Sequence, residues 1–168
     1  VCFIGPVAKR RAEAVRLYPD VFVTPMAAVA GAVADEVLAA TLSDNVPQKA
    51  YVNNGGDIAF HLSEGEIFEV LSPAGLLTIT SRDSARGIAT SGWQGRSHSL
   101  GIADAVSVVA KTAAAADVAA TLIANATNLP GHTAIGRCPA KQLSPDSDLG
   151  KHLVTTHVGH LPALDVDK

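Results

Sequence analysis

At 168 residues the chain is long enough to bury a sizeable core, and with 48% hydrophobic and 17% charged residues it lacks the composition of a disordered protein. A net charge of −3 excludes the basic footprint of a nucleic-acid binder, and aromatics at 4% supply few stacking platforms for single strands. Asp35, Glu36 and Asp117 interrupt the most hydrophobic stretches, so no segment is expected to reach the roughly 18 to 20 apolar residues of a membrane span.

A single domain is expected over 1–168. Cys2 and Cys138 make no C-x-x-C pair and read as free thiols of a reducing compartment, which points to the cytoplasm. No charged-then-apolar leader is evident. The chain opens at Val1, has its one methionine at Met26 and ends at Lys168 in what reads as a helix start, so both ends are expected to be truncated.

In chain order, Val7 to Leu17 reads as a basic amphipathic helix, with Lys9, Arg10 and Arg11 forming either a solvated face or a phosphate patch. Val21-Phe22-Val23 has the β-branched and aromatic content of a strand. Thr24 and Pro25 then predict a helix start, as N-cap and first helical residue. The helix that follows is small almost all round, at Ala27, Ala28, Ala30, Gly31, Ala32 and Ala34. A glycine inside a helix costs about 1 kcal/mol against alanine, so Gly31 suggests that another backbone or a ligand comes close.

Lys49 to Leu62 predicts two strands joined at Asn54-Gly55, the strongest short hairpin signal. Asn53-Asn54-Gly55-Gly56-Asp57 is richer than a two-residue turn requires, and its consecutive N–H groups can form an anion nest. The commoner reading of it is a plain hairpin. Ile67 to Leu71 and Leu76 to Ser81 read as a second, structural hairpin, and Arg82, Asp83 and Arg86 as solvent-facing.

The densest signals lie between Arg86 and Asn125. GIATSG reads as a strand ending in a turn, and GWQGRSHSLG as a loop carrying Arg96 and His98. ADAVSVVA is a second strand headed by Asp104, and TAAAADVAATLIAN is an alanine-rich helix with Asp117 and Thr121. Asn128 to Asp148 reads as a long surface loop and LVTTHV as a last strand. His157 and His160 have an H-x-x-H spacing, but i and i+3 of a strand point to opposite faces, so zinc is not expected there. The order of strand, helix, strands, helix, loop and strand predicts an α+β fold.

Asp117 and Thr121 stand at i and i+4, where side chains are about 5 to 6 Å apart. A carboxylate, a hydroxyl and a main-chain carbonyl are ligand types for magnesium, with phosphate and water completing the shell. An acid complementing the helix dipole and a threonine bonded to the preceding turn explain the same pair. Thr90, Ser91 and Gly92 fit a phosphate contact or an ordinary turn. His98 fits a ligand contact, a proton carrier or a solvated loop histidine. There is no P-loop, G-x-G-x-x-G or nucleophile elbow.

VTPMAAVAGAVADEV, YVNNGGDIA, RGIATSGWQGRSHSLGIADAVSVVA and AAAADVAATLIANA together resemble an uncharacterised bacterial and archaeal family related to ApbE, the FAD:protein FMN transferases. AGAVAD resembles the transferase K-G-x-x-x-D pattern through Gly31 and Asp35, with Ala30 at the lysine position. Asn54, Gly55 and Gly56 match N-x-G-G beside the flavin, and Ala89 to Gly92 match A-T-S-G. His98 resembles the histidine opening H-x-x-D-P-x-T-G, although S-L-G-I follows it here. ADVAAT resembles A-D-x-x-A-T, whose acid and threonine bind magnesium.

The resemblance implies a T-fold-like, ApbE-type architecture, largely antiparallel sheet with helices packed on one face. It implies magnesium held by Asp117, Thr121 and a backbone carbonyl at Ala27 or Ala28, and FAD as substrate or ligand. Asn54, Gly55, Gly56, Asp57, Thr90, Ser91 and Gly92 would cradle the dinucleotide, and His98 would contact it or move a proton. The expected function is a magnesium-dependent enzyme acting on FAD or a related nucleotide diphosphate, with Asp117 and His98 as its catalytic residues. The alternatives are a flavin-binding protein without turnover and a structural T-fold subunit. The expected partners are a small-molecule flavin or nucleotide and a second copy of the chain, with no nucleic acid and no membrane.

Overall fold

The computed structural model describes residues 4–73 and 75–166; Val1, Cys2 and Lys168 lie outside them. In order, the elements are α1 (Pro6–Val15), a 3-10 turn (Pro25–Ala28), α2 (Val29–Leu42), β1 (Lys49–Asn54), β2 (Asp57–Leu62), β3 (Ile67–Ser72), β4 (Gly75–Thr80), β5 (Gly87–Ser91), β6 (Val106–Ala110), α3 (Ala113–Ala126), β7 (Ile135–Pro139), α4 (Ala140–Leu143), β8 (Leu153–Val158) and α5 (Ala163–Val166). They divide into two units. The first runs to Thr90 and includes Ser107–Ala120; the second holds Ser91–Val106 and the chain from Thr121 onward.

The first unit is built on a sheet of order β1-β2-β5-β6, in which β1 pairs antiparallel with β2, and β2 with β5. Alternation along β2 sorts its side chains between two faces. Ile58, Phe60 and Leu62 join Ile88 and the β3–β4 hairpin residues Phe68 and Ile79 in one core, where the Phe60 and Phe68 rings stack 4.7 Å apart. Ala59 turns the other way, to Ala34 and Leu38 of α2 and Ala113 of α3. Ala89 of β5 likewise packs against Ala116 and Ala120 of α3. The small residues therefore let two helices lie close on one face of the sheet, as expected of the α+β class.

Several local expectations are corrected. Val21 to Val23 is not a strand, and Pro25 starts a 3-10 turn rather than the α-helix, with no side-chain cap from Thr24. The stretch Pro25–Leu42 is long and apolar enough to cross a membrane, contrary to the expectation from its acids. Those acids are bonded within the protein, however, with Asp35 on α3 and Glu36 on Arg10, and Ala34 and Leu38 pack on the sheet.

In the second unit the 91–106 segment is fixed by its own bonds. The Trp93 Nε1–H and Gln94 Nε2–H both donate to Asp104 Oδ1, at 2.8 and 2.9 Å. Asn125 Oδ1 accepts the Leu100 N–H at 2.8 Å, and Arg137 donates to the Leu100 carbonyl at 2.7 Å. Burial there lowers the Arg137 pKa. Asn128 to Asp148 is not one loop: it contains β7, paired antiparallel with β8 across an irregularity at Gly136/Arg137, and the short α4. Cys138 is a free, half-buried thiol.

Candidate metal and nucleotide site

The β1–β2 turn places the first acid. Gly55 and Gly56 take φ of 71° and 112°, a backbone that favours glycine, and bring Asn54 opposite Asp57. Asn53 Oδ1 accepts the Gly56 N–H at 2.9 Å, so one donor of the expected anion nest is used inside the turn. Asp57 precedes Ala59 by two residues and so shares its helix-facing side of β2; it is only 8% exposed.

The second acid comes from α3. The carboxyl of Asp117 accepts the Gly31 N–H at 3.1 Å, where α2 begins. It is also hydrogen-bonded to the side chain of Asp57. Burial, and then the charge of Asp57, push the Asp117 pKa up to about 8, against the pull of the Gly31 and Ala30 N–H groups. Asn54 closes the arrangement by donating from Nδ2 to the Ala30 carbonyl at 3.1 Å. Two carboxyls in contact, one buried and one half-buried, cannot both carry charge cheaply. They must share a proton or hold a cation.

The donor set fits a hard divalent ion. Among the described residues no three His, Cys, Asp or Glu side chains cluster, so a cation here would have two carboxylates and would draw its other ligands from elsewhere. Magnesium is commonly held in this way, by one or two carboxylates with water and substrate phosphate.

Gly31 is the point of close approach. A Cβ there would overlap the carbonyl oxygen of Ala113, so the room that its helix position implied is filled by the first turn of α3. Asp35, one turn beyond Gly31, accepts the N–H groups of Ala113 and Ala114, each at 2.9 Å. The motif match marked Asp35, but nothing local showed that it bonds α3.

The remaining expected residues are distributed as follows. Thr121 lies one turn beyond Asp117 on α3, half-buried, and Ala27 lies in the 3-10 turn that Arg11 Nε holds through the Pro25 carbonyl at 2.8 Å. Thr90 Oγ1 shares a hydrogen bond with Ser107 at 2.8 Å. Ser91, Gly92 and His98 belong to the second unit. There Gly92 has no room for a Cβ beside the Asp104 carbonyl, and His98 Nε2 lies 3.4 Å from Ser144 Oγ. Arg10 pairs with Glu36 at 2.8 Å and Arg11 is turned to Pro25, which gives these members of the possible phosphate patch structural partners.

A family model described as AbpE bacteria matches residues 2–168. The chain belongs to this family. Curated relatives of this AbpE-family chain include the UPF0280 protein of Archaeoglobus fulgidus, 36% identical over 125 residues that cover 74% of this chain and 52% of that protein. The UPF0280 protein of Methanococcus vannielii is 40% identical over 126 residues, 69% of this chain and 50% of its own length. The UPF0280 protein of Methanococcoides burtonii is 36% identical over 122 residues, covering 69% and 51%. The chain spans about half the length of these relatives. No solved structure matches it significantly.

Proposed function

We propose that this AbpE-family chain binds a divalent cation, magnesium by its donor chemistry, at Asp117 and Asp57, and acts on the pyrophosphate of FAD or a related nucleotide diphosphate. The observation that carries this reading is the pair of mutually bonded carboxyls between sheet and helix, Asp57 buried on β2 and Asp117 half-buried on α3. The cation would neutralise pyrophosphate oxygens and stabilise the departing phosphate. Asp117 would give up its proton on loading while its bond to Gly31 N–H holds it in position. Asn54 would keep the Gly55-Gly56 turn against α2. The resemblance to ApbE transferases, suggested also by the family's description, adds Thr121 and the Ala27 carbonyl as further ligands. On the same ground Thr90, Ser91, Gly92 and His98 would contact the nucleotide, and His98 would carry a proton.

The test is incubation of the protein with FAD and magnesium, with chromatography for FMN and AMP. Cleavage of the pyrophosphate by water gives both products; transfer to an acceptor hydroxyl gives AMP and a flavin phosphoester. Products that require both metal and Asp117, and vanish in Asp117→Ala, are expected. A second reading, a flavin holder without turnover, draws support from Ala30. Its carbonyl accepts Asn54 and its N–H faces Asp117, at the position of the transferase lysine. Bound FAD recovered intact would favour that reading, and no FAD binding would sink both.

A further inference from the structure

We propose that Asp35 is a positioning residue for the cation site, fixing the Asp117 carboxyl by tying the start of α3 to α2; this rests on the reading of Asp117 and Asp57 as cation ligands. The bonds run in both directions. Asp35 on α2 receives the first two N–H groups of α3, through Oδ1 from Ala113 and Oδ2 from Ala114, each at 2.9 Å. Asp117 on α3 receives the Gly31 N–H of the first turn of α2 at 3.1 Å. Each acid stands four residues after the residue that touches the other helix: Gly31 and Asp35 on one, Ala113 and Asp117 on the other. Gly31, lacking a Cβ, lets the Ala113 peptide lie directly against α2.

This arrangement does more than cap a helix. Thr112 already serves α3 locally, since its Oγ1 accepts the Ala115 N–H at 3.1 Å and its carbonyl the Ala116 N–H at 3.1 Å. What Asp35 adds is a two-point bond from another element, and charge-assisted bonds of this kind are about twice as strong as neutral ones. Gly87 presses on the same turn, because a Cβ there would overlap the Ala113 amide. The start of α3 is thus held from α2 and from β5, and Asp117 lies one turn along it. A shift of α3 against α2 would move the Asp117 carboxyl relative to Asp57 on β2.

The experiment uses the full chain with manganese as a spectroscopic substitute for magnesium. Binding is titrated by electron paramagnetic resonance, and metal-free melting is followed in parallel. Asp35→Asn keeps one acceptor and removes the charge; Asp35→Glu keeps both oxygens but lengthens the link. Loss of a bond that orients a metal ligand typically weakens binding about 10- to 100-fold. A weakening of at least about tenfold is expected for Asp35→Asn and a smaller one for Asp35→Glu. Both variants should melt lower without metal, because each disturbs bonds to a charged acceptor, which contribute more than neutral ones, so affinity is titrated at a temperature where the variants are fully folded. Should Asp35→Asn fail to fold, Asp35→Glu decides alone. Wild-type affinity in the folded variants, with or without lost stability, overturns the proposal and leaves the cation site standing. Failure of the unaltered protein to bind manganese overturns the cation site and this proposal together.

Discussion

Asp117 is held where its charge is costly, and the sign of that cost sets a pH dependence. Its pKa rises from 3.8 to about 8 on folding, so the folded chain keeps a proton that the unfolded chain has released. The corresponding stability is fully present below about pH 4. It declines as the pH rises and is lost once the pH passes about 8. In chelator, melting temperatures measured from pH 5 to 9 should fall by several degrees, and Asp117→Asn should flatten that slope. A slope equally steep in Asp117→Asn would mean that another group titrates. Asn54 has a smaller role: replacement by alanine removes the bond to the Ala30 carbonyl and should cost about 1 kcal/mol in urea unfolding. Asp117 was visible in the sequence as an acid within an apolar helix, and Asp57 as the last residue of the 53–57 turn. Their contact was not, because it depends on packing a strand residue against a helix residue from a distant stretch.

Helix contact explains the element scale. The Gly31→Ala variant sets a Cβ against backbone of α3, which has no rotamer with which to yield, and should lose about 1 to 3 kcal/mol. Gly65→Ala, in the turn between β2 and β3, meets nothing within 4 Å but must adopt a φ of +86°, and should lose about 1 to 2 kcal/mol through strain alone. The two are separated by cation titration, which Gly31→Ala should weaken and Gly65→Ala should leave unchanged. Equal effects would show that α2 and α3 do not set the site. Most elements followed from local pattern: the Asn54-Gly55 hairpin, the β3–β4 hairpin and the alanine-rich α3 all lie where alternation and turn residues put them. β7 did not, because Gly136 and Pro139 give it the composition of a loop and only pairing with β8 makes it a strand. Val21 to Val23 has strand composition but is not a strand, so propensity alone did not make it one.

At the scale of the molecule, a helix-on-sheet layer brings together acids from β2 and α3 and leaves a separate hairpin core on the opposite face of the sheet. A ligand bound only by the folded chain stabilises it by about 2.7 kcal/mol when present at 100 times its dissociation constant. Magnesium with FAD should therefore raise the melting temperature of the protein and not that of Asp117→Ala; equal shifts in both would place the ligand elsewhere. The most direct measurement is calorimetric titration of magnesium into the protein at pH 6.5 and pH 9, in buffers of different ionisation enthalpy. With Asp117 protonated to about pH 8, binding should release close to one proton at the lower pH, release almost none at the higher pH, and be tighter there. Binding that releases no proton at either pH, or no binding at all, would contradict the assignment of Asp57 and Asp117 as a cation site.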